Sequence, residues 1–147
     1  LGMQTIVATD TTDGSITGLA AVMVVGVDVK LDKYPRLTLA ASGDMTQFKI
    51  CWSNYSSASA FTFTITDAVP AGSTYVPEVA TNMSCGNTDG ITLGVAYSTS
   101  ASATPPSDFT TISGGTAAPV QTRWLRWTAG IAGVQTTGCA CFRVTVN

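Results

Sequence analysis

The segment Phe61-Thr62-Phe63-Thr64-Ile65-Thr66 puts Phe61, Phe63 and Ile65 on one face and three threonines on the other. That is the period-two alternation of a strand with one buried and one wet face. The same alternation recurs upstream, where Phe48, Ile50 and Trp52 alternate with Lys49, Cys51 and Ser53. Near the end, Ala140, Phe142, Val144 and Val146 alternate with Cys139, Cys141, Arg143 and Thr145. Further strands are expected over Val25–Leu31, Arg36–Leu39, Ile91–Ser98 and Thr122–Thr128. Clusters of Gly, Pro, Asn and Asp punctuate them at Ser42-Gly43-Asp44, Pro70-Ala71-Gly72, residues 86–90 and Ser113-Gly114-Gly115.

No stretch carries a helical apolar stripe. Short strands at this spacing, apolar on one face and polar on the other, predict an all-β protein: an immunoglobulin-like antiparallel β-sandwich. Ser98–Pro119 is small, polar and contains Pro105-Pro106, so it reads as a long surface loop with one short strand around Phe109–Ile112. With 147 residues the chain is one domain's worth.

Charged residues make up only 11% of the chain, well under the usual quarter. Thr and Ser take their place at about a quarter of all residues. Such a surface is hydrated but weakly self-repelling, so copies approach one another cheaply. Seven basic residues scattered along the chain form no phosphate-binding stripe, which argues against nucleic acid as a partner. Histidine is absent, which removes histidine-based catalysis and histidine metal ligation. The longest apolar run, Leu19 to Val25, is far short of the ~20 residues that span a bilayer, so no membrane insertion is expected. A first residue of Leu1 fits a processed, exported chain, and the C-terminus shows no sorting motif or hydrophobic tail. The triplets Asn54-Tyr55-Ser56 and Asn82-Met83-Ser84 make Asn54 and Asn82 glycosylation candidates outside the cell.

Residues 48–76, FKICWSNYSSASAFTFTITDAVPAGSTYV, resemble the conserved-repeat domain of prokaryotic surface proteins (domain of unknown function number eleven). The shared pattern is an aromatic strand, Asn, a small polar turn, an alternating strand, and then Asp-x-Leu-Pro-x-Gly-x-x-Tyr-Val. It falls here on Asn54, Asp67, Val69, Pro70, Gly72, Tyr75 and Val76. The tail TRWLRWTAGIAGVQTTGCACFRVTVN is similar to that family's closing strands, so the resemblance covers roughly residues 27–147. The cysteines, Trp52 and the Ser/Pro loop depart from it. The resemblance implies an immunoglobulin-like module of cell-surface and extracellular proteins, ordinarily in tandem arrays, and no enzyme. The matched residues have plain roles: Pro70 presets a turn, Gly72 supplies positive φ, Asp67 accepts turn N–H groups, and Tyr75 buries its ring with a partnered hydroxyl.

Residues 1–26 lie outside the resemblance and form a separate apolar arm, leaving 27–147 as the sandwich. Thr5, Ile6 and Val7 and the run Leu19, Val22, Met23, Val24 and Val25 are strand-forming, split by the turn-rich stretch 10–14. A bare apolar tail is an aggregation site, so it must be covered. Either it adds strands to its own sheet, or it completes the sheet of a neighbouring subunit as a donor strand. The second generates an open filament when the rotation between copies does not close.

Cys51, Cys85, Cys139 and Cys141 are even in number, so disulfides are the default outside the cell. Cys139 and Cys141 stand two apart on one strand and cannot readily bond each other, so each is expected to pair with Cys51 or Cys85. Alternation places Cys51 and Cys141 on the polar faces of their strands. The C-x₂-C spacing of structural zinc sites is absent. The stretch 87–90 resembles a calcium loop only faintly, and no acid pair is spaced for catalysis. The single glutamate, Glu78, follows Pro77 and looks badly placed to serve the core, as an internal Lys–Asn crosslink would require. Trp124 and Trp127, three apart on a strand, face opposite sides: one core, one contact surface.

The sequence therefore reads as a non-enzymatic structural subunit of an extracellular or cell-surface filament. Its partners would be identical subunits, with other cell-surface components as further contacts, and it uses no cofactor. The alternative is a monomeric adhesion or glycan-binding module.

Overall fold

The computed structural model describes residues 2–9, 17–24, 29–35, 41–56, 63–86, 89–130, 133 and 135–147. Its strands are β1 (Gly2–Thr9), β2 (Thr17–Val24), β3 (Val29–Pro35), β4 (Met45–Asn54), β5 (Phe63–Ala68), β6 (Ser73–Tyr75), β7 (Leu93–Ser98), β8 (Thr110–Thr111), β9 (Trp124–Ala129) and β10 (Thr137–Val146). One 3₁₀ turn, Ala80–Met83, stands between β6 and β7. Two four-stranded antiparallel sheets, ordered β3-β4-β10-β6 and β5-β9-β7-β8, make the β-sandwich that the alternation predicts.

Register carries the alternation into a core. Opposite one another on β4 and β10 stand Trp52 and Gly138, Ile50 and Ala140, and Phe48 and Phe142. Leu125, Trp127 and Ala129 of β9 face them from the second sheet, with Ile65 of β5 and Val95 of β7 opposite Trp127 on either side. Trp52, Trp127, Phe142 and Leu125 are wholly buried, each contributing ~1.5–3 kcal/mol of apolar burial. The rings of Phe48 and Phe142 stack at 5.4 Å, and Trp127 meets Phe142 at 6.1 Å. Trp124, one side over from this core, is half-buried on the outer face, so the two tryptophans divide as their spacing implies.

Boundaries shift from the expected ones by a few residues. The strand expected over Val25–Leu31 is β3, and the structure places it at Val29–Pro35, four residues downstream. The expected strand Arg36–Leu39 lies outside the described residues, as do Phe61 and Thr62. Within the long Ser/Pro loop the short strand is Thr110–Thr111. The Pro70 turn closes as its residues require: Gly72 sits at φ +76°, and Pro70 O accepts both the Ser73 N–H at 3.2 Å and the Ser73 hydroxyl at 2.7 Å. Asp67 takes a different role from the turn-capping one expected. It lies inside β5, pointing into the sandwich, and its carboxylate is held by Lys33 at 2.6 Å.

Candidate functional site

β1 and β2 pair with each other in full antiparallel register, from Gly2 opposite Val24 to Thr9 opposite Thr17. Neither belongs to the sandwich: the hairpin is a two-stranded sheet of its own. Thr5, Ile6, Val7, Leu19, Val22, Met23 and Val24, the expected subunit-contact residues, all fall on its strands, with Val7 opposite Leu19 and Met3 opposite Met23. Val25 and the 10–14 turn lie outside the described residues. An isolated two-stranded hairpin is marginal in water by itself.

On one side of the sandwich the edge strands are β3 in the first sheet and β5 in the second, and among the described residues neither has an outer neighbour. Leu31 stands opposite Trp52 in register and so belongs to the inner face, yet it is 51% exposed. Lys33, two residues on, spans the gap. Its Nζ lies 4.9 Å from the Phe48 ring centroid and 5.8 Å from that of Phe142, and pairs with Asp67 of β5. The seam between the edges is thus apolar at its floor, bridged by one ion pair, and open at Leu31.

The outer face of the first sheet carries the cysteines. Cys51 and Cys139, directly opposite on β4 and β10, are joined as a disulfide. Cys85 and Cys141 are free thiols. Cys141 has the outward register that alternation assigns it and is nonetheless wholly buried. The cause is tertiary. The chain after β6 runs along β10, bridging Ser84 to Ala140 and donating Cys85 N–H to Cys139 O at 3.2 Å, and the 3₁₀ turn covers Cys141. The Cys141 thiol donates to Asn82 O at 3.6 Å. Its hydrogen bonding toward Cys85 holds the Cys85 thiol below its ordinary pKa, helped by the Lys49 ammonium, and together with burial pushes Cys141 up.

The two sequons differ. Asn82 is exposed on the 3₁₀ turn. Asn54 is 1% exposed, its Nδ2 donating to Gly133 O at 2.9 Å and its Oδ1 accepting from Ser56 N–H and hydroxyl at 3.1 and 2.6 Å. In the folded domain, Asn54 is a loop clamp whose amide nitrogen is already committed, and a glycan there would displace those bonds.

Glu78 has a role that sequence reading did not assign it. It is 3% exposed, and its carboxylate accepts the Arg143 backbone N–H at 3.0 Å and Nε–H at 2.7 Å, tying the crossing segment to β10. Its only sequence signal is that it is the single glutamate beside a proline. With Gln47, Thr81, Asn82, Ser84 and Arg143 it walls an open polar cleft. A second shallow cleft sets Trp124 beside Arg123, Val69 and Ser100–Ser102, with the indole N–H donating to Ser102 O at 3.3 Å. Asp89 of the faint calcium-like stretch accepts the Thr137 N–H at 2.7 Å, and residues 87 and 88 lie outside the described residues. No group of three or more metal-ligating side chains converges among the described residues, and no helix there is long and apolar enough to cross a membrane. Comparison with protein-family models, with curated proteins and with solved structures finds no match.

Proposed function

We propose that this chain is a structural subunit of an extracellular or cell-surface filament, in which the N-terminal hairpin of one copy docks on the sandwich of the next by β-augmentation. The observation that carries this reading is the hairpin's pairing: two uncharged strands, GMQTIVAT and TGLAAVMV, form a sheet separate from both sheets of the domain. Such a sheet has two edges of its own and gains most by pairing with another. The seam between β3 and β5, with Leu31 uncovered, is a fitting acceptor because it offers strand edges and apolar floor together. A head-to-tail contact of this kind extends without limit unless the rotation closes a ring. The low surface charge, the disulfide and the resemblance to immunoglobulin-like surface modules agree with work outside the cell.

Deleting residues 1–25 tests it by size-exclusion chromatography and negative-stain microscopy. The full chain is expected to polymerise, and the truncated chain to remain a folded, less stable monomer. A full-length chain that stays monomeric at high concentration overturns the reading. The second reading, a glycan-binding module, is favoured by the half-exposed Trp124 in its cleft. Glycan-array binding lost in Trp124→Ala, with no polymer in either protein, would favour that reading.

A further inference from the structure

We propose that Cys85 and Cys141 form a second disulfide by exchange with a small-molecule disulfide, Cys85 being the attacking sulfur and Cys141 the resolving one. Three features of the outer face lead there. First, Ser84 bridges Ala140, which sets Cys85 beside Cys139 and puts Cys85 and Cys141 on one face, diagonal neighbours across the pairing. The Cys141 thiol points at the same segment, donating to Asn82 O at 3.6 Å, three residues before Cys85. Diagonal neighbours stand about 7–8 Å apart, so closing the bond draws the crossing segment in toward β10.

Second, access is unequal. Cys141 is wholly buried beneath the 3₁₀ turn, whereas Cys85 is partly exposed. A soluble disulfide therefore meets Cys85 first. Third, the Lys49 side chain reaches over Gly86, where a Cβ would lie 3.6 Å from its Nζ. An ammonium next door, with the Cys141 S–H as donor, favours the thiolate at Cys85, which is the nucleophilic form.

The step balances. The Cys85 thiolate attacks one sulfur of the oxidant disulfide, whose S–S bond breaks and releases one thiolate, leaving a mixed disulfide on Cys85. Cys141 gives its proton to that departing thiolate and attacks the Cys85 sulfur, expelling the second thiol. Two protein thiols are oxidised and one disulfide is reduced to two thiols. The new bond fastens the segment after β6 to β10, beside the Cys51–Cys139 link that fastens β4 to it.

The test uses the full chain, reduced with a monothiol and then incubated with glutathione disulfide, quenched in acid, alkylated and weighed intact. Wild type is expected to finish with no alkylated cysteine and no glutathione. Two alkylated cysteines at the end overturn the proposal. Cys141→Ser should stop with one glutathione on Cys85. Cys85→Ser should modify Cys141 at least about tenfold more slowly while folded; equal rates overturn the assignment of the attacking sulfur. Connectivity is read on Cys51→Ser/Cys139→Ser, which keeps only the pair in question. A linked peptide holding residues 85 and 141 is expected, and a folded double variant that keeps both thiols overturns the proposal. Should that variant not fold, digestion of oxidised wild type after Glu78 and after arginine decides instead: it parts Cys51, Cys85 and the peptide holding Cys139 and Cys141, and a lone peptide carrying Cys85 as a thiol overturns the proposal.

Discussion

Gly138 has no room for a side chain, because a Cβ there would run into the Trp52 indole directly opposite. The backbone is not unusual at this point; the indole simply lies flat over it. Gly138→Ala is expected to cost about 1–3 kcal/mol or more through overpacking, read as a lower urea midpoint at unchanged slope. Tyr75 gives a second residue-scale prediction. It is 1% exposed with its hydroxyl donating to Met83 Sδ at 3.6 Å, and burial, followed by the nearby Glu78 carboxylate, pushes its phenol well above the ordinary value. In the unfolded chain the phenol ionises near its ordinary pKa of about 10. The unfolded state thus releases a proton there that the folded state retains, so stability is full below about pH 10 and falls as the pH rises past it. Thermal melts from pH 9 to 11 should show this loss in wild type and a shallower loss in Tyr75→Phe. The burial of Tyr75 was legible in the turn motif ahead of it. The need for glycine at 138 was not, because Trp52 is 86 residues away and meets it only through register.

At the scale of elements, the informative feature is the seam between β3 and β5. Lys33 and Asp67 point into the sandwich from its two edge strands and neutralise each other across it, with the lysine ammonium lying over the rings of Phe48 and Phe142. Lys33→Met keeps the stem and strands the carboxylate, 18% exposed as a side chain. That variant should lose about 1–3 kcal/mol. Lys33→Met/Asp67→Leu should recover most of the loss, since a packed apolar pair removes both desolvation costs. Chemical denaturation of the four members of this cycle gives the coupling energy. Inward-pointing charges on edge strands also discourage uncontrolled pairing, so the double variant should aggregate more readily than wild type in light scattering. Alternation located β4, β5, β7, β9 and β10 to within a few residues. It could not show that Asp67 leaves its own turn for a lysine 34 residues earlier, because that choice belongs to the packing of one sheet on the other.

At the scale of the whole molecule, the Cys51–Cys139 bond joins positions 88 residues apart, so it closes most of the sandwich into one loop. Cys51→Ser/Cys139→Ser is expected to lower stability by about 2–5 kcal/mol through the larger entropy of the unfolded chain. Guanidinium unfolding with and without the bond checks it. Because Cys51 and Cys139 face outward, the core contacts and the refolded circular dichroism should be unchanged. On the same face Arg143 and Cys141 of β10 lie under the crossing segment that carries Glu78 and Cys85, so that segment, rather than the sheet, is expected to loosen first in hydrogen exchange when Glu78→Gln removes the charge on which Arg143 rests.

Periodicity, turn chemistry and composition by themselves determined the all-β class, the inward positions of Phe48, Ile50, Trp52, Ile65, Phe142 and Val144, the Pro70–Gly72 turn, and that Cys139 bonds to Cys51 or Cys85 rather than to Cys141. Those are local properties: which face a side chain takes, and where a chain can bend, depend on its nearest neighbours. Tertiary structure alone decided that Cys51 meets Cys139, that Cys141 is covered although it faces outward, that Glu78 is buried against β10, that Asn54 is sealed in a loop, and that the N-terminal strands pair with each other. Each of these turns on which distant segment crosses which face, and alternation carries no information about what lies on top of a strand.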